Sequence, residues 1–304
     1  MASGIKKRSL TEISSQIDKI KKLDLKVVDF MEVHKEIRIL MSEYTAVGFP
    51  ALQNTIYRAR PNDKDKLFET ISDMWAPRPE KMPQNRFGRA NKPRKPVFYC
   101  SNREETAISE LLINEGDCVT IMRCCSRGDT SAMMNVGFGF RDEGKLQSKD
   151  GKTIINWGKY KEEKIRRLYS KQYSIDRIVQ ECLLKNKMID GFLNQEFRKE
   201  INSDECNYEY KITAAIASLY LDNPLSHVRL DAISYPSIRT GLSAGPNWAF
   251  TIESANKFYK PEHLETIEID KIENKSESIK YSGNARFKSK EIKHSGQIIW
   301  EKLV

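Results

Sequence analysis

The chain has 304 residues, with 51 Lys and Arg against 42 Asp and Glu, so it carries a formal charge of +9. Its apolar share of 39% is ample for a core, in one large domain or two modest ones. No window approaches the roughly 18 consecutive apolar residues that a membrane helix needs. The basic N-terminus, Met1 to Leu10, is not followed by an apolar run, which argues against a secretory signal and for the cytoplasm. The six cysteines show no C-x-x-C or zinc spacing and the four histidines stand alone, so no metal site is read and the thiols are expected to be reduced core filler. The basic surplus suits nucleic acid, an acidic protein or a phosphorylated small molecule. Because the lysines are spread along the whole chain, a nucleic-acid-binding module is kept only as an alternative.

Residues 10–45 read as two amphipathic helices. Ile13, Ile17 and Ile20 fall at helical spacing behind a Ser9 or Thr11 cap, and Met31, Ile37, Leu40, Met41 and Tyr44 form a second apolar stripe. Gly48 and Pro50 end this helical extension, placed at 1–50. Residues 55–59 read as a short strand bearing Tyr57 and Arg58. A long proline-punctuated loop follows and carries Gly88-Arg89-Ala90-Asn91. Residues 97–100 form the next expected strand, with Val97 and Tyr99 on one face and Phe98 and Cys100 on the other. Ser101 and Glu104 have capping-box spacing before a helix whose buried side is Ala107, Ile108, Leu111 and Leu112, with Glu110 at its edge.

Further strands are expected at 119–124, at 231–237 (ending in a proline turn at Ser237) and at 247–250. Helices are expected at 160–168, 175–197 and 208–221. Gly137-Phe138-Gly139 lacks the third glycine and the following helix of a phosphate loop, and reads as strand or turn. Beyond residue 260 a charged, serine-containing tract lies between strand-like pieces at 264–269 and 296–300. The layout is thus a helical extension (1–50), a main domain (51–260) and a strand-containing tail packed on it (261–304).

The stretch 56–112 gathers two arginine clusters, a strand tyrosine and a helix-borne glutamate. The guanidinium fork matches phosphate oxygens, an aromatic ring suits a flat base, and a carboxylate suits a sugar hydroxyl or a developing cation. Together they describe a site for a dinucleotide such as NAD, held without a glycine-rich turn.

The order of short motifs resembles the RES domain. It runs Tyr57-Arg58, Gly88-Arg89-x-Asn91, Tyr99-x-Ser101, Glu105-Thr106-Ala107-Ile108-x-Glu110, Tyr235-Pro236-Ser237 and Asn247-x-Ala249, over about residues 54 to 255. Members of that family resemble ADP-ribosyltransferases and consume NAD, and many are toxins paired with a helix-turn-helix antitoxin. The resemblance implies an α+β fold, an ADP-ribosyltransferase-like split mixed β-sheet with flanking helices. It implies a catalytic set of Arg58, Glu110 and Ser237, with Arg60 as the alternative arginine. It also implies NAD contacts from Arg58, Arg89, Tyr99 and Asn247. Ala90 replaces a frequent aromatic residue, and Lys92 to Pro96 replaces a frequent glycine. NAD is the implied substrate, no metal is implied, and an antitoxin occluding the cleft is the implied partner. The acceptor (water, phosphate or a protein side chain) and the oligomeric state stay open.

Overall fold

The computed structural model describes residues 8–46, 48–51, 55–63, 66–128, 131–136, 145–147, 154–156, 162–168, 176–201, 204–222, 230–239, 246–275 and 278–303. The fold is α+β, and the chain divides into two compact units that interleave along the sequence. One, the helical unit, takes residues 1–49, 85–92 and 134–229. The other, the sheet unit, takes residues 50–84, 93–133 and 230–304.

In the helical unit, α1 (Leu10–Lys21) starts at a capping box in which Ser9 and Glu12 satisfy each other's backbone donors. Its apolar stripe of Ile13, Ile17 and Ile20 is buried as the spacing predicts. α2 (Phe30–Met41), capped by Asp29, buries Val33, Ile37, Leu40 and Met41. The segment 162–168 (α5) precedes α6 (Asp176–Phe197), and a 3-10 turn, Asp204–Tyr210, leads into α7 (Lys211–Leu221). Small residues Ala214, Ala215 and Ala217 are fully buried on α7 and permit close packing. α1 packs on α6 and α2 on α7, so the N-terminal helices share a unit with residues read from sequence as part of the 51–260 domain. The segment after α2 is tied to α6 by polar bonds, Tyr44 Oη donating to Asp190 Oδ1 at 2.6 Å and Thr45 N to Asn186 Oδ1 at 3.0 Å.

The sheet unit is built on β2 (Thr55–Asn62), β3 (Phe98–Ser101), β4 (Cys118–Ser126), β8 (Ala232–Pro236), β9 (Pro246–Phe250), β10 (Tyr259–Lys275), β11 (Ser278–Ile292) and β12 (Ile298–Lys302). The strand order is β1-β5-β8-β9-β3-β2-β4-β10-β11-β12, where β1 (Gly48–Ala51) and β5 (Ser131–Asn135) lie where the chain passes from one unit to the other. A separate two-stranded ladder joins β6 (Lys145–Gln147) to β7 (Ile154–Asn156). β2 pairs with β4 along its whole length but with β3 only at Tyr57 opposite Ser101, so the sheet parts between β2 and β3.

Short helices α3 (Ile71–Met74), α4 (Glu104–Ser109) and α8 (Ile252–Phe258) complete the unit. The proline-rich loop is pinned to the C-terminus by Ile71 N to Gly296 O and Ile298 N to Glu69 O, both 2.8 Å. The charged tract beyond residue 260 forms a long antiparallel hairpin, β10 with β11. The G-x-G segment, 137–139, lies outside the described residues.

Candidate functional site

Strand register decides which side chains can meet. Tyr235 on β8 faces Asn247 on β9, Asn247 faces Ser101 on β3, and Ser101 faces Tyr57 on β2. Directly paired residues project on the same side, so this row lines one face of the sheet. α4 covers that face: Ile108 packs with Val119, Ile121 and Ile269, and Tyr57 and Ala59 lie against the same cluster. Glu110 is the residue that ends α4, half-buried, at the edge of this row.

Its carboxylate is held through one oxygen. Ser237 Oγ donates to Oε1 at 2.6 Å and Asn247 Nδ2 donates to the same oxygen at 2.7 Å. Ser101 Oγ donates to Asn247 Oδ1 at 2.5 Å, which fixes the orientation of that amide. Arg239 N donates to Ser237 Oγ at 3.3 Å, so the serine is oriented in turn. Ser101, Ser237 and Asn247 are each no more than 2% exposed. Among the described residues none donates a hydrogen bond to Glu110 Oε2. The result is an oriented carboxylate with one oxygen left for a ligand.

The Ser101 hydroxyl therefore does not cap α4, contrary to the S-x-x-E reading. The helix starts at Glu104 with Arg103 as its cap residue, and the hydroxyl is spent on Asn247. Local spacing suggested a cap, but the register opposite Asn247 offers a buried partner instead.

Arg58 is not brought to Glu110. It follows Tyr57 on the strand and pairs with Met122, so it projects from the opposite face. There its Nε donates to Met74 O at 2.7 Å and its Nη1 to Tyr99 O at 2.8 Å, filling the gap where β2 and β3 separate. Its guanidinium carbon stands 5.4 Å from the Phe98 ring centre, and Trp75 packs on Phe98 at 4.3 Å. Burial, with Arg60 close by, pushes the Arg58 guanidinium down to about 10. Burial also raises the thiols of Cys100 and Cys124 beside it, which keeps both protonated and inert. Arg60 shares this face, donating to Asp73 O and lying over the Phe68 ring.

Arg89 belongs to the helical unit, where it is 9% exposed. Its Nη1 donates to Phe197 O at 2.6 Å and its Nη1 and Nη2 reach Lys199 O at 3.3 Å, with Tyr210 stacked at 5.1 Å. These carbonyls stand at and just past the C-terminal end of α6, where a cation is favoured. Tyr99, partly exposed, shares the Ser101 face by alternation. Thus Glu110, Ser237 and Asn247 converge, Tyr99 lies on their side of the sheet, and Arg58, Arg60 and Arg89 have structural work elsewhere.

Two residues near Glu110 escape sequence reasoning. Arg239 stands two positions after Ser237, a spacing that could have flagged it. Tyr281 comes from β11 and packs on the Ile108 cluster, and it has no signal in its own neighbourhood. Among the described residues no group of three or more His, Cys, Asp or Glu could hold a metal ion, and no helix is long and apolar enough to cross a membrane. Comparison of the chain with protein families, curated proteins and solved structures finds no match.

Proposed function

We propose that the protein is an NAD-consuming enzyme that cleaves the nicotinamide-ribose bond, a glycohydrolase or phosphorylase acting as a cytoplasmic toxin with a protein antitoxin. The observation that carries this reading is the Glu110 carboxylate, oriented by Ser237 and Asn247 through Oε1 alone. Loss of nicotinamide builds oxocarbenium character on the ribose. A fixed carboxylate stabilises that charge without reorganising, and its second oxygen can accept a hydrogen bond from a ribose hydroxyl. Nicotinamide leaves as a neutral molecule, so no strong acid is needed. The motif order and the parting of the sheet between β2 and β3 support an RES-like, ADP-ribosyltransferase-like fold.

Within this reading Ser237 and Asn247 position Glu110, and Tyr99 lines the same side. Arg58 secures the sheet's opening rather than clamping pyrophosphate. A protein ADP-ribosyltransferase is the alternative, since the same bond is broken and only the acceptor differs. Incubation of the purified protein with NAD should release nicotinamide, and Glu110→Gln should lower the release by at least about 100-fold. Absence of nicotinamide with the wild type, with or without phosphate and cell lysate, rejects the reading. Transfer of labelled ADP-ribose to a lysate protein would favour the transferase. Salt-sensitive retardation of nucleic acid, with no nicotinamide formed, would favour a basic binding module instead.

A further inference from the structure

Resting on the reading above and extending it, we propose that Tyr281 of the C-terminal hairpin is a ligand-contacting residue of the Glu110 site, its hydroxyl hydrogen-bonding the ribose or phosphate of the bound nucleotide. Tyr281 pairs with Ile272 across the hairpin, and both lie against the cluster centred on Ile108. Ile108 is two residues before Glu110 on α4, and α4 itself touches β11. The ring is thus seated on apolar side chains beneath, which leaves the hydroxyl as the end free to meet a ligand.

Two irregularities shape the hairpin around this residue. The register slips between Ile269 and Lys271, so that Ile272, not Lys271, joins Ile267 and Ile269 against α4. Such a bulge bends a strand and re-aims its side chains, and bulges concentrate beside active sites. Two positions from Tyr281, Gly283 lies so close to β10 that a Cβ there would collide with the Glu268 carbonyl oxygen and sit 3.1 Å from its carbon. Only glycine allows that approach. The slip thus turns Ile272 toward α4, the glycine lets β11 lie close on β10, and α4 touches β11.

The charges around the hydroxyl agree with this placement. Burial, the largest influence, raises the phenol above its usual range; Arg239 lowers it and Glu110 raises it. The hydroxyl is therefore neutral at physiological pH and can donate to a phosphate oxygen or pair with a sugar hydroxyl.

Two measurements test the assignment. Tyr281→Phe keeps the ring on its apolar seat and removes the hydroxyl. It should raise KM for NAD roughly tenfold, the loss of one hydrogen bond, with kcat and Tm little changed. An unchanged KM overturns the proposal, as does a fall in kcat alone, which would make the hydroxyl a positioning group for Glu110. The second readout needs no turnover: with 13C-labelled tyrosine, the Tyr281 phenol should titrate at lower pH in Glu110→Gln than in the wild type. No change there also overturns it. If the wild type releases no nicotinamide while the titration moves, NAD cleavage fails but the placement of Tyr281 beside Glu110 stands. Tyr281→Ala, which removes the ring as well, should lower Tm.

Discussion

Glu110 and Arg58 sit on opposite faces of the same sheet and show two ways of using a charged side chain. Glu110 receives two hydrogen bonds on one oxygen and none, among the described residues, on the other. Arg58 directs two donors at backbone carbonyls of Met74 and Tyr99 and is wedged against an aromatic ring. The donors that hold Glu110 are buried side chains at the ends of separate strands. Arg58's partners are main-chain carbonyls, one at the end of α3 and one on β3. A charge oriented but unfinished is available for chemistry; a charge completed by main chain serves the fold.

The largest effect should come from Glu110→Gln. Nicotinamide release should fall by about 10²–10³-fold or more while Tm stays close to the wild type, because the amide keeps the shape and loses the charge. Asn247→Ala and Ser237→Ala each remove one of the two donors that orient the carboxylate. Each should lower kcat by about 10–100-fold, and the double variant by less than the product, since both act through Glu110.

Arg58→Ala should do the reverse. It removes two partly buried hydrogen bonds and opens a hole beside Phe98, so stability should drop by about 2–3 kcal/mol by denaturant titration. kcat/KM of the folded fraction should stay within about fivefold. An Arg58 variant with normal Tm and no activity would break the comparison. Arg89→Ala should cost about 1–2 kcal/mol through the exposed end of α6 and leave turnover alone.

The smallest effect is a pH dependence in the helical unit. Hydrogen bonds from Lys19 and Gln16 hold the Glu36 carboxyl below its usual range. A folded value below the unfolded one contributes stability above about 4.5, and that contribution is lost as pH falls through the folded value. Glu36→Gln should flatten the acid limb of the stability curve there and change nothing at the sheet face.

Parts of this were legible in the residues. The Ile13, Ile17, Ile20 stripe behind Ser9 specifies α1 because a cap and a 3.6 period agree. The convergence of Glu110, Ser237 and Asn247 was visible only as motif order, since three segments far apart in the chain meet through register. Alternation already implied that Tyr57 and Arg58, adjacent on a strand, cannot share a face; the chemistry of arginine and phosphate overrode that simple rule. β11 was hidden because Tyr281, Ala285 and Phe287 alternate with charged and small residues, and Gly283 interrupts the row. Bulges in β10 break the period on the partner strand as well.

The donors to Glu110 lie 127 and 137 residues downstream of it. A ribosome translating this message releases the carboxylate long before Ser237 and Asn247 emerge, and the hairpin that carries Tyr281 later still. A nascent chain halted before residue 237 would hold an unoriented Glu110. On the proposed function, activity would wait for the synthesis of Asn247, 137 residues after the carboxylate it orients.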